Sequence, residues 1–149
     1  MNIFKNNGFH FLDFLVVKED EIFNYHRLAG SYAVIRCAGK YLFCYNIWRE
    51  QWELPAGKRE ENETSKDCAI RELYEETGQS VSSLEFKGLL KMKNLSNGEV
   101  KYNPVYVTTL EELQPFQENN ETSAIKLWDL KEQIGCIDEV DIKIFSYIY

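Results

Sequence analysis

Proline is scarce, with three residues in 149, and there is no internal repeat and no Gly- or Ser-rich tract. Neither an interdomain linker nor a low-complexity segment is expected, and the length suits one domain over residues 1–149. A chain of this size buries about 70% of its unfolded surface, enough for a core without disulfides. Its four cysteines, Cys37, Cys44, Cys68 and Cys136, make no C-x-x-C pair and have no His-x-x-x-His beside them, so the common zinc patterns are missing. The opening "MNIFKNNGFHF" lacks the long apolar run of a signal peptide, so none is expected, and no apolar run reaches the ~18 residues of a membrane span. Free thiols in a reducing cytoplasm are expected. Positive charge is also short: 17 Lys and Arg stand against 24 Asp and Glu, a net charge of −7. Such a surface disfavours nucleic acid and anionic membranes as partners. A phosphate compound handled here needs a cation between itself and the protein.

Aromatic and β-branched residues are plentiful and grouped. Residues 9–17 and 22–25 are expected as strands. In "SYAVIRCAGKYLFCYN" the runs 32–37 and 41–45 flank Ala38-Gly39-Lys40, a hairpin pattern. Pro55 and Gly57 make "LPAGK" a loop. Further strands are expected over 84–93, 105–110 and 125–128. The stretch "DEVDIKIFSYIY" puts Val140, Ile144, Phe145 and Ile148 at helical spacing. Before these strands a helix is expected from Thr64 as N-cap, with Asp67 three residues on as a variant capping box, to Gly78 as C-terminal stop. Strands mixed with at least two helices predict a layered α/β fold.

That helix contains "RELYEETG". On a helical wheel Glu72, Glu75 and Glu76 gather on one side, around Cys68 and edged by Arg71. Ala69, Ile70, Leu73, Tyr74 and Thr77 form the other side. A row of glutamates is ordinarily a solvated face, but such faces mix signs, because Glu–Glu pairs at i,i+4 repel. The alternative is a site for divalent cations: Mg²⁺ takes carboxylate oxygens and keeps waters that a substrate phosphate can replace. Composition alone leaves both readings open.

The longer stretch "GKREENETSKDCAIRELYEETGQ", residues 57–79, resembles the signature of the Nudix hydrolase family (MutT-like), G-x5-E-x7-R-E-U-x-E-E-x-G-U, where U is a bulky aliphatic residue. Gly57, Glu63, Arg71, Glu72, Leu73, Glu75, Glu76 and Gly78 occupy the required positions. Gln79 departs from the final aliphatic position, with an effect expected on packing at the helix exit rather than on chemistry. Seven fixed identities at set spacing arise by chance about once in 10⁸–10⁹ starts, so the signal is strong.

The resemblance implies an α/β/α sandwich with a mixed β-sheet and a loop-helix-loop motif. It implies hydrolysis of a nucleoside diphosphate linked to a group X, with Mg²⁺ or Mn²⁺. Glu72, Glu75, Glu76 and the Gly57 carbonyl map onto metal ligands, Arg71 onto an orienting residue, and Glu63 onto its ion-pair partner. A further acid from the loop before a late strand is expected, with Glu121 favoured over Glu118. A Nudix-fold module that binds nucleotide without turnover is the alternative function; such modules usually lose box glutamates.

The group X stays open. "ELPAGK" is similar to the entry of ADP-ribose and nucleotide-sugar pyrophosphatases, yet the proline they commonly carry about 15 residues past the box is replaced by Asn94. A nucleoside triphosphate is the other candidate. Trp48, Trp52, Tyr102 and Trp128 could stack on a base, although core packing is the commoner fate. Lys58, Arg59, Arg49 and Lys91 could meet phosphates, and His10 and His26 carry no strong claim. The apolar "FHFLDFLVV" could extend the sheet or pair two copies into a homodimer.

Overall fold

The computed structural model describes residues 1–149. In chain order the elements are β1 (Ile3–Lys5), β2 (Phe9–Leu15), β3 (Ser31–Cys37), β4 (Lys40–Asn46), β5 (Gln51–Glu53), β6 (Ala56–Gly57), α1 (Ser65–Thr77), β7 (Glu85–Asn94), β8 (Val100–Leu110), β9 (Thr122–Trp128), β10 (Cys136–Asp138), α2 (Glu139–Lys143) and α3 (Phe145–Ile148). The strands form one mixed sheet in the order β1-β10-β5-β4-β3-β8-β7-β2, with β6 also paired to β3 and β9 to β4. The β3–β8, β1–β10 and β10–β5 pairs are parallel and the others antiparallel.

Alternation along the strands feeds two cores. Ala33, Ile35, Leu42 and Tyr106 point to one face and pack with Ala69 and Leu73 of α1. Their neighbours Val34, Phe43, Val105 and Val107 point to the other and pack with Val140, Ile144 and Ile148 of the C-terminal helices. Period-two strands buried on both faces read as continuous apolar runs, which is why β3 and β4 carry them. The result is the α/β/α sandwich. No helix is long and apolar enough to cross a membrane.

The β3–β4 hairpin closes through Ala38 and Gly39, with φ of 53° and 75°, the left-handed pair that matches strand twist. β2 extends the sheet as an edge strand along β7. Residues 22–25, expected as a strand, are instead part of a 3₁₀ turn over Glu19–Asn24. Ile22 is buried and Tyr25 packs on Tyr102, while Phe23 is 69% exposed, so the apolar content there marked two anchors and not an alternating strand. The expected strand at 105–110 starts earlier and runs through Pro104. The N–H that proline lacks falls on the β3 side, where regular pairing begins only at Tyr32↔Val105. The C-terminal helical stretch divides at Ile144 into α2 and α3.

Leu73 is fully buried between α1 and the sheet. Leu73→Ala is expected to lower unfolding free energy by about 2–5 kcal/mol, read by urea denaturation. A loss below about 1 kcal/mol would mean that α1 does not rest on this core.

Candidate active site

Helix α1 begins where the Thr64 Oγ1 accepts from the Asp67 N–H at 3.1 Å. It ends at Gly78, whose φ of 80° suits glycine and whose N–H reaches Tyr74 O at 2.8 Å. Its carboxylate side is not a solvated face. Glu75 is exposed, the Glu72 side chain is 16% exposed, and Glu76 is buried at 4%. Cys68, at the centre of that side, is buried and donates its thiol to Gly57 O at 3.3 Å. The strip forms a groove bordered on one side by residues 56–63, through Ala56 and Glu63, and on the other by Asn119, whose amide reaches Glu76 O.

Arg71 is the only cation bonded to this face. Its Nε and Nη2 hold Glu63 at 2.7 and 3.0 Å, its Nη1 holds Glu72 at 2.7 Å and Glu75 at 2.8 Å, and its Nη2 also reaches Lys58 O. The hydrogen bond from Arg71 keeps the Glu63 carboxyl below its ordinary range, and the same fork raises Arg71. Glu72 is raised, mainly by burial and against the pull of Arg71. Glu76 is raised further by burial, then by the charges of Glu121 and Glu72, although Ala56 N–H donates to its Oε2 at 2.9 Å. A Cβ on Gly57 would stand 2.1 Å from the Glu72 carboxyl carbon. Only glycine admits that carboxylate against the loop.

Glu121 stands at the start of β9. Its Oε1 accepts from Asn46 Nδ2 at 3.2 Å and lies 3.9 Å from Arg49 Nη2. Asn119 links it to the box, donating to Glu76 O and accepting from Glu121 N–H, and the Glu121 charge helps to raise the Glu76 and Glu72 carboxyls. Glu118 is exposed and forms no ion pair. As the side chains stand, no three carboxylates close on one point, because Arg71 draws Glu72 and Glu75 while Ala56 holds Glu76. The donors on this wall are hard oxygens: three carboxylates and the Gly57 carbonyl. That set fits a hard divalent cation.

A second acidic group lay outside the sequence reading. Glu53, buried on β5, takes both arms of Arg49 at 2.6 and 2.9 Å and Gln51 Nε2 at 2.6 Å. Asp138 caps α2 through Val140 and Asp141 N–H, and the Asp141 Oδ2 accepts from Leu54 N–H at 2.9 Å. Burial pushes Asp138 up to about 6, helped by the Glu53 charge, and burial with Asp138 pushes Asp141 higher. These residues floor a cavity of about 290 Å³ that opens beside Gly57. Asn103 also lines it. The Asn103 amide donates to Gly30 O at 2.7 Å, and its Oδ1 has no partner. Lys58 and Lys101 stand on the cavity wall without carboxylate partners. Burial lowers Lys101, and Arg27 and Lys58 add to it. An Asp in N-cap position before α2 was the one local signal for this group.

The other aromatics separate. Trp128 is buried against Phe43, and Trp52 donates to Ile134 O within the same core. Tyr102 packs on Tyr25, and Trp48 is 75% exposed in the β4–β5 turn. His10 and His26 are exposed.

The Asp138 and Asp141 carboxyls sit above their unfolded range. Between about pH 4 and pH 7 the native chain therefore binds protons that the unfolded chain has released, and stability falls as pH rises. In chelator the thermal midpoint is expected to be lower at pH 8 than at pH 5. Asp141→Asn should shrink that difference by about 3 °C or more. An equal drop in the variant would remove Asp141 from the account.

The comparisons with known proteins agree on family. Over 105 residues the chain is 33% identical to a Bacillus subtilis (strain 168) protein named as a candidate 8-oxo-dGTP diphosphatase YtkD, covering 70% of this chain and 65% of that one. The chain thus spans just under two thirds of that relative's length. Its fold is similar to the crystal structure of a MutT NUDIX hydrolase from Burkholderia pseudomallei, with a TM-score of 0.70, 19% identity, and coverage of 83% of this chain and 100% of that one. It is also similar to the Bacillus subtilis pyrophosphohydrolase BsRppH, with a TM-score of 0.56, 29% identity, and coverage of 67% and 61%. The model described as NUDIX domain matches residues 25–146, which include the whole glutamate box, and the chain belongs to the NUDIX domain family.

Proposed function

We propose that this chain hydrolyses the anhydride of a nucleoside diphosphate linked to a further group, with Mg²⁺, or Mn²⁺ in its place, held by Glu72, Glu75, Glu76 and the Gly57 carbonyl. The observation that carries the reading is the excess negative charge of this face: Glu72, Glu75, Glu76 and Glu121 carry it, Arg71 bonds only Glu72 and Glu75, and Arg49 stands 3.9 Å from Glu121. A bound cation would stabilise charge on phosphoryl oxygens and acidify a water. Arg71 orients Glu72 and Glu75, Glu63 orients Arg71, and Gly57 lets Glu72 reach the loop. Glu121, held by Asn46 across the groove from Glu76, is the proton acceptor.

For the substrate we favour a guanine-type nucleoside triphosphate. The buried Asn103 Oδ1 lines the cavity without a partner and can accept, while its amide donates to Gly30 O. An unpartnered acceptor in the cavity suits a base edge that carries N–H donors. Lys58 and Lys101 on the wall suit the phosphate that follows. The name of the Bacillus subtilis relative supports the same class.

Formation of the nucleoside monophosphate should be followed by chromatography with dGTP, 8-oxo-dGTP, ADP-ribose and a nucleotide sugar, in Mg²⁺ and in excess chelator. The guanine triphosphates should exceed ADP-ribose in kcat/KM by about tenfold or more, and chelator should abolish turnover. A preference for ADP-ribose would overturn the substrate reading, and nucleotide binding without any turnover would mark a binding module.

The acids are separated by substitution. Glu76→Gln and Glu121→Gln should each lower kcat by more than about tenfold, over ~1.4 kcal/mol of barrier, and Glu118→Gln by less than about twofold. A smaller loss in Glu121→Gln would assign the proton acceptor to a box glutamate.

A further inference from the structure

Gln79 occupies the one box position where this chain departs from an aliphatic residue, and it is fully buried. Its carboxamide does not lie idle there. The Nε2 donates to Gln114 O at 2.8 Å and to Thr77 O at 3.2 Å, and the Oε1 accepts from Gln114 N–H at 2.7 Å. The flipped amide would set donor against donor and acceptor against acceptor, so the orientation is fixed. The Gln114 side chain answers in kind: its Oε1 accepts from Ser80 N–H at 2.8 Å and its Nε2 donates to Ser80 O at 3.3 Å. Two side chains thus build a backbone-like bridge between the exit of α1 and residues 111–121. An aliphatic side chain at 79 would fill the space but leave the Gln114 N–H and C=O without partners.

The same segment stays on the helix end beyond the clasp. A Cβ on Gly78 would stand 2.9 Å from Pro115 O. The Asn119 Nδ2 donates to Glu76 O at 3.2 Å, while its Oδ1 accepts from Glu121 N–H at 3.0 Å and Thr122 N–H at 2.9 Å. Asn119 therefore ties the backbone of one groove acid to the backbone of another. The sheet fixes Glu121 only from the far side, where its carbonyl accepts from Ile47 N–H. The β4–β9 register slips between Tyr45 and Asn46, so the ladder is irregular next to Glu121.

We infer that Gln79 is a positioning residue: its clasp on Gln114 lays residues 114–119 along the end of α1 and so sets Glu121 opposite Glu76. The kinetic part of this inference rests on the reading of Glu121 as proton acceptor. The loop is on this account a fixed wall of the site, not a lid that swings in with substrate.

Gln79→Met is nearly isosteric and keeps the volume. It should lower kcat by about tenfold with KM within about twofold, and should cause no further loss when Glu121 is already Gln. Hydrogen exchange reads the positioning without turnover. In Gln79→Met the amides of Gln114, Glu121 and Thr122 should exchange about tenfold faster or more, while that of Leu73 is unchanged. Unaltered exchange at Glu121 would overturn the inference, and so would a variant that does not fold, since Gln79 would then carry the fold and not the site. An equal kcat loss with and without Glu121 would overturn it as well. If the wild-type chain turns over no nucleotide, the proposed function fails, and the exchange data alone decide the role of Gln79.

Discussion

Repulsion among carboxylates confined to one groove is the constraint on which the site depends. Two unit charges about 4 Å apart cost on the order of 4 kcal/mol at the effective dielectric of a protein surface. Glu72 and Glu76 are partly or wholly removed from water, which deepens the cost and raises both carboxyls. The groove tolerates them because each has a tether. Arg71 takes Glu72 and Glu75, the Ala56 N–H takes Glu76, and Asn46 takes Glu121. Caps at Thr64 and Gly78 secure the helix that bears three of the four. Removing one tether would leave a buried charge that a cation or a proton must neutralise.

The parts of this design that depend on local periodicity were legible in the sequence. Glu72, Glu75 and Glu76 share a face because 3.6 residues make a turn, and Thr64 and Gly78 bound the helix through local chemistry. The β3–β4 hairpin was legible from Ala38-Gly39 for the same reason. Long-range pairings were not. β1 and β10 are three residues each and meet through Ile3↔Cys136, a register that no window of sequence contains. Residues 22–25 read as a strand because aromatic and β-branched content reports burial as readily as pairing, and here it reported the anchors Ile22 and Tyr25.

The same limit explains which site residues were missed. Glu53, Asp138 and Asp141 are scattered in sequence and come together only where β5, β10 and α2 adjoin. Asn46 looks like an ordinary turn residue until the turn is seen to hang from its Oδ1, which accepts from both Trp48 and Arg49 N–H, and Arg49, read in the sequence as a phosphate contact, forks onto Glu53. Gln79 looked like a lapse in the box pattern. Its role becomes visible only with Gln114, 35 residues away, in place.

Asn46 and Arg49 also join the two acidic groups. Asn46 Nδ2 contacts Glu53 at 3.3 Å and Glu121 at 3.2 Å, and Arg49 pairs with Glu53 while facing Glu121. Glu53 therefore has a charge-assisted partner that Glu121 has only at the longer distance. The Arg49 charge is spent mainly on Glu53, and Glu121 is left to act on Glu76. Exchanging those two partners would neutralise the acid nearest the box and leave Glu53 buried without its ion pair, a double cost. The short Arg49–Glu53 fork thus leaves the Glu121 charge largely unanswered, where it adds to the field that raises Glu76 and Glu72.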